Sequence, residues 1–133
     1  MSADIQKQLQ TLSDDYQKLQ GDLQTNVQSR QKLEAQQQEN LGVQREFNTL
    51  PDTSDPSGTG QIYKLVGPVL LKQDKNEAML AVTGRLDYIA NEIKRIEEKI
   101  EGIQEESEKR KMEIYQIQSQ AQAAGAEDQA QAA

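Results

Sequence analysis

The chain has neither histidine nor cysteine, and that narrows what its remaining reactive side chains can do. Without histidine it lacks the commonest general base and the commonest transition-metal ligand. Without either residue no ordinary nucleophilic triad can be assembled, and without cysteine there is no disulfide framework or thiolate metal site. Carboxylates and hydroxyls are left. The acidic pairs Glu97-Glu98 and Glu105-Glu106 have the residue type for paired-carboxylate chemistry. They fall on the charged face of a helical pattern and read as solvated charge. Gly58-Thr59-Gly60 lacks the flanking lysine and the spacing of a phosphate loop. Asp52, Ser54 and Asp55 lack the twelve-residue pattern of a calcium loop. No enzyme, cofactor or metal site is expected.

The informative residues are the apolar ones, through their spacing. Met79, Val82, Leu86, Ile89, Ile93, Ile96, Ile100 and Ile103, then Ser107, Arg110, Ile114, Ile117, Ala121 and Ala124, alternate steps of three and four without a slip. A 3.5-residue average holds one narrow seam against a partner helix, the pattern of a coiled coil. Glu105 with Lys109 and Glu106 with Arg110 are i,i+4 pairs of the favourable orientation, each contributing only about 0.3 to 0.5 kcal/mol. A first arm obeys the same rule at Ile5, Leu9, Leu12, Tyr16, Leu19 and Leu23. Its register then brings Asn26, Arg30, Leu33, Gln37, Asn40, Gln44 and Phe47 to the seam. Either Val27 and Leu41 fill in beside these polar positions, or the polar residues themselves face the partner and set its register.

Each arm holds roughly 43 residues, about 65 Å of helix. Helices this long need to bury their stripe against another helix, and the other arm is the nearest candidate. With 35% hydrophobic and 28% charged residues, one Phe and no Trp, the composition suits a two-helix coiled coil better than a globular core. A net charge of −7 argues against nucleic-acid binding. No apolar run approaches the roughly 20 residues of a membrane span. The polar start MSADIQKQLQ is no signal sequence. A cytoplasmic protein is expected.

Between the arms the local chemistry changes. Leu50 to Gly60, LPDTSDPSGTG, is a run of helix breakers. Ile62, Tyr63, Leu65 and Val66 then form a strand-like run, followed by Gly67-Pro68 and by Val69, Leu70 and Leu71. Gly followed by Pro suits a two-residue II′ turn with positive φ at Gly67. The spacing predicts that Val66 faces Val69, Leu65 faces Leu70 and Tyr63 faces Lys72. Asp74 with Glu77 three residues on is a capping-box start for the second helix. The layout is therefore helix 4–49, loop 50–60, β-hairpin 61–73, helix 75–120 and a disordered Ala/Gln-rich tail 121–133. The fold class is mainly α: an antiparallel two-helix coiled-coil hairpin with one β-hairpin at the bend.

A lone two-stranded hairpin is marginal in water, and this one is apolar on both faces. It could fold down onto the helix ends. The reading preferred here is that sheets of other chains complete its edges and faces, so that it serves assembly.

These residues carry a resemblance. IYKLVGPVLLKQ followed by the acidic helix start at 76–78 resembles the hairpin of prefoldin, a co-chaperone, in its β-type subunits. RQKLEAQ at 30–36, GPVLLKQ at 67–73, RLDYI at 85–89 and EIKR at 92–95 resemble most specifically one subunit of the eukaryotic complexes. The likeness runs from about residue 5 to 120, and the loop at 50–60 is longer than usual for this type. The resemblance implies a heterohexamer of α-type and β-type subunits whose hairpins join an inter-subunit β-barrel. It implies ATP-independent capture of unfolded clients such as actin and tubulin at the coiled-coil tips, and delivery to the cytosolic group II chaperonin. Ile62, Leu65, Val66, Val69, Leu70 and Leu71 would then serve the subunit interface. Ile5, Leu9, Leu12, Ile114 and Ile117 would lie at the client-binding tips. A structural or adaptor coiled-coil homodimer explains both arms equally well, but not the doubly apolar hairpin between them.

Overall fold

The structure, a computed structural model, describes residues 2–51 and 60–132. Helix α1 spans Ala3–Thr49, strands β1 and β2 span Ile62–Val66 and Val69–Gln73, and helix α2 spans Lys75–Ala132. The Asp52, Ser54 and Asp55 group lies outside the described residues. The chain divides into two compact units: Arg30–Arg95, and the described residues on either side of it.

In the Arg30–Arg95 unit, β1 and β2 form a two-stranded antiparallel sheet with Val66 opposite Val69, Leu65 opposite Leu70 and Tyr63 opposite Lys72. The expected register is the observed one. Gly67 has φ +58°, the sign that a II′ turn demands and that a side chain resists. At Gly60, with φ +83°, an added Cβ would lie 3.0 Å from Pro51, so this is a position where only glycine fits.

Asp74 caps α2: its Oδ2 accepts from the Glu77 amide at 3.4 Å, and its carbonyl accepts from the Ala78 amide at 3.0 Å. Lys75 Nζ donates to the Leu50 carbonyl at 2.9 Å, tying the end of α1 to the start of α2. Ile62, Ala78, Val82 and Ile89 are buried. Val43 and Phe47 of α1 meet Ala78, Val82 and Arg85 of α2 around a cleft of about 160 Å³, so the two segments run antiparallel.

The polar half of the first seam keeps its register. Arg30, Gln37, Asn40, Gln44 and Phe47 are all half-buried, as is Leu41. Asn40 Nδ2 donates to the Gln36 carbonyl at 2.8 Å. In the other unit Asn26 Nδ2 donates likewise to the Asp22 carbonyl at 2.8 Å, while Val27 stays 37% exposed. Val27 therefore does not substitute for its polar neighbour. The amides satisfy themselves on their own helix, which removes most of the penalty for facing a partner.

In the flanking unit Leu12, Ile96 and Ser107 are buried, and Ile5, Leu9, Tyr16, Leu19 and Leu23 are half-buried. Ser2 caps α1 through its Oγ, which accepts from the Ile5 amide at 3.3 Å. Arg110, a seam position, reaches Asp15 of α1 at 3.8 Å as well as Glu106 and Glu113 of its own helix at 3.6 Å each. Its charge is thus paired where the seam would otherwise leave it stranded.

Where a disordered tail is expected from residue 121, α2 continues to Ala132. Ala and Gln are good helix formers, and the composition that suggested disorder also sustains a helix. Counting from the Asp15–Arg110 pair, α1 begins opposite roughly residue 122. Gln122 to Ala130 are all exposed. Ala124, expected in the seam, therefore has no α1 residue to meet.

Candidate functional site

Two apolar surfaces stand out, one in each unit. The first is the hairpin. Leu65 is 68% exposed, and Leu70, Val66, Val69, Leu71 and Tyr63 are exposed as well. Cross-strand partners share a face, so Tyr63, Leu65, Leu70 and Lys72 line one side, and Lys64, Val66, Val69 and Leu71 the other. Both strands of a two-stranded sheet are edges, and among the described residues no further strand pairs with their outer sides. Five of the six expected interface residues are thus free within this chain.

Ile62 is different. It is 6% exposed and lies beside Val43, Phe47, Ala78 and Val82. It sits at the end of the hairpin furthest from the turn, opposite Gln73. Burying it stabilises by about 1.5–3 kcal/mol and anchors the sheet to the helices. The alternative in which the hairpin folds down onto the helix ends holds for this one residue. Alternation puts Ile62 and Leu65 on opposite faces of β1 but cannot say which of them is covered, since both faces carry apolar residues.

The second surface lies where the start of α1 meets the later part of α2. Leu9 and Ile114, with Gln6, Gln10, Ser13 and Gln118, line a shallow groove of about 380 Å³. Ile5 and Ile117 are half-buried, and Leu12 is packed in the seam. Of the five expected tip residues, Leu12 is the least accessible. Sequence reasoning missed Met112 and Tyr115. Tyr115 is 71% exposed and Met112 nearly as much, and both line a groove of about 540 Å³ with Glu108, Lys111, Ile114, Gln116 and Gln118. The signal was present: both are large apolar residues off the seam, on a face otherwise polar.

No group of clustered ligands for a metal ion occurs among the described residues, and no helix among them is long and apolar enough to cross a membrane. The ionisation of Arg95 is displaced. Arg95 Nη2 donates to Glu92 at 2.7 Å, and that bond and charge hold the guanidinium above its ordinary value.

A family model described as prefoldin subunit matches residues 4–121. The chain belongs to the prefoldin family. It is 43% identical over 122 residues to prefoldin subunit 6 of Bos taurus, covering 92% of this chain and 90% of that one. It is 40% identical over 110 residues to prefoldin subunit 6 of Saccharomyces cerevisiae, covering 83% and 91%. The crystal structure of the prefoldin beta subunit from Thermococcus strain KS-1 matches with a TM-score of 0.72 at 22% identity, over 80% of this chain and 89% of that one. That likeness speaks for the fold: two long helices packed together, with a two-stranded antiparallel hairpin between them. The prefoldin family is one of chaperone subunits, not of enzymes.

Proposed function

We propose that this chain is a β-type subunit of a heterohexameric, ATP-independent co-chaperone. In this reading its hairpin joins an inter-subunit β-barrel with α-type and β-type partners. Its helix ends hold unfolded clients of the actin and tubulin kind in the cytoplasm and hand them to a cytosolic group II chaperonin.

The observation that carries the reading is the hairpin. Leu65, Val66, Val69, Leu70 and Leu71 present apolar surface on both faces of a sheet whose two edges are unpaired. None of the described residues of the Arg30–Arg95 unit covers them, and an exposed apolar edge strand left unpartnered is an aggregation template. Strands from other subunits would satisfy the backbone and bury the side chains together. Ile62 would hold the hairpin in place from behind while its neighbours make the contacts.

Client capture rests on the other surface. Met112 and Tyr115 offer an open apolar groove, and Leu9 and Ile114 lie in a shallow groove of mixed polarity. Such a surface suits extended apolar segments of many sequences, and methionine adapts its shape to each. Several weak contacts from several subunits would hold a client by avidity.

The test removes residues 1–12 and 114–133 from the chain within its reconstituted complex. The complex is expected to assemble, while suppression of aggregation of a denatured client falls. Assembly with undiminished suppression would refute the placement of client contacts at these ends.

A further inference from the structure

The outer side of α2 in the Arg30–Arg95 unit is not uniformly polar. Leu80 is 73% exposed and Tyr88 is 65% exposed. They stand four residues either side of Gly84, so the three share one face of the helix. That face is opposite the seam of Val82, Leu86, Ile89 and Ile93, and α1 cannot reach it. An added Cβ at Gly84 would meet nothing within 4 Å, so the packing of this chain does not require the glycine. The helical glycines at 21, 42, 102 and 125 are equally open, but only Gly84 has exposed large apolar residues at both i−4 and i+4. Glycine within a helix costs about 0.5–1 kcal/mol relative to alanine. Here it leaves a gap between two apolar knobs about 12 Å apart along the axis.

We propose that Leu80, Gly84 and Tyr88 form a lateral docking surface for a neighbouring subunit of the assembly, separate from the hairpin. This rests on the reading of the hairpin as the assembly edge. Continuity argues for that occupant. Only Asp74 separates β2 from α2, so Leu80 begins about 9 Å from the sheet along the helix. A neighbour whose strand pairs at about 4.8 Å from this hairpin brings its own body alongside these turns. The knob, gap, knob contour on a rigid helix fits a folded partner of complementary relief, since ridges of one element settle into gaps of another. An unfolded client has no fixed relief to match. The second contact adds a means of choosing among neighbours that all present similar strands, because strand pairing reads backbone and is poorly selective.

The absence of cysteine from the chain makes the test site-specific. Asp87→Cys, beside the stripe, and Lys72→Cys, on the exposed hairpin, are each labelled with a benzophenone maleimide. Each labelled chain is reconstituted with the other subunits and irradiated, with and without a denatured client. Crosslinks from both positions to another subunit are expected. A crosslink from position 72 but none to a subunit from position 87 overturns the inference and leaves the assembly reading standing. Crosslinking of position 87 to the client overturns it in favour of a client site. Failure of both positions to reach a subunit overturns the assembly reading as well. Independently, the double substitution Leu80→Gln, Tyr88→Gln is expected to speed dissociation of the complex roughly ten-fold or more with unchanged helical circular dichroism. Unchanged dissociation overturns the inference, and if the double variant loses helix the crosslinks decide.

Discussion

Replacing Leu65 by aspartate separates what the hairpin does for this chain from what it does for an assembly. In the isolated chain Leu65 is 68% exposed, so the change removes little burial. What it loses is the cross-strand pair with Leu70, about 0.2–1 kcal/mol. In an assembly that covers this face the sum is different. Burying the exposed portion of a leucine gives about 1–2 kcal/mol. Enclosing an unpaired carboxylate instead costs several kcal/mol more. A total of about 3 kcal/mol or more weakens each contact by over a hundred-fold. Sedimentation or native mass spectrometry of the tagged variant mixed with its partner subunits reads the assembly. Circular dichroism of the same sample reads the helices, which are expected to be unchanged. Leu65→Thr retains strand preference and adds no charge, so it is expected to fall between the two. A full-sized complex at the wild-type concentration would refute the reasoning, because no buried apolar face tolerates that carboxylate.

Three further outcomes follow from the packing. Ile89→Ala, at a buried seam position, is expected to cost about 2–5 kcal/mol in denaturant unfolding, and a loss below about 1 kcal/mol would mean the seam is looser than its burial indicates. Asp74→Ala removes the acceptor for the Glu77 amide and is expected to cost about 0.5–2 kcal/mol in the same assay, with Asp74→Asn nearly neutral. Met112→Ser with Tyr115→Ser changes only exposed side chains, so the melting temperature should hold while suppression of client aggregation weakens several-fold. Unaltered suppression would move client contact away from these grooves.

Much of the fold was legible because it rests on short-range rules. The II′ turn at Gly67-Pro68 sets the strand register by itself, and every expected pair is found. Asp74 and Glu77 announce the start of α2 because a cap needs only a carboxylate and an amide three residues away. The steps of three and four set the seam, even where Asn40 and Gln44 occupy it. The candidate site was less legible. Ile62 and Leu65 carry the same signature of residue type, and one is buried while the other is exposed. Met112 and Tyr115 stand off the seam and are exposed, and heptad spacing carries no information about residues there.

Sequence alone therefore determined the period, the turn and the cap, since each depends on neighbours within about one helical turn or one hairpin. It also determined which side chains are missing from the chain, histidine and cysteine among them. Which surfaces remain open was decided by tertiary structure. Ile62 is covered because Phe47 and Val82, distant in sequence, converge on it. Leu65, on the other face of the same strand, remains exposed. Accessibility is a property of what lies opposite a side chain, and only the folded chain determines that.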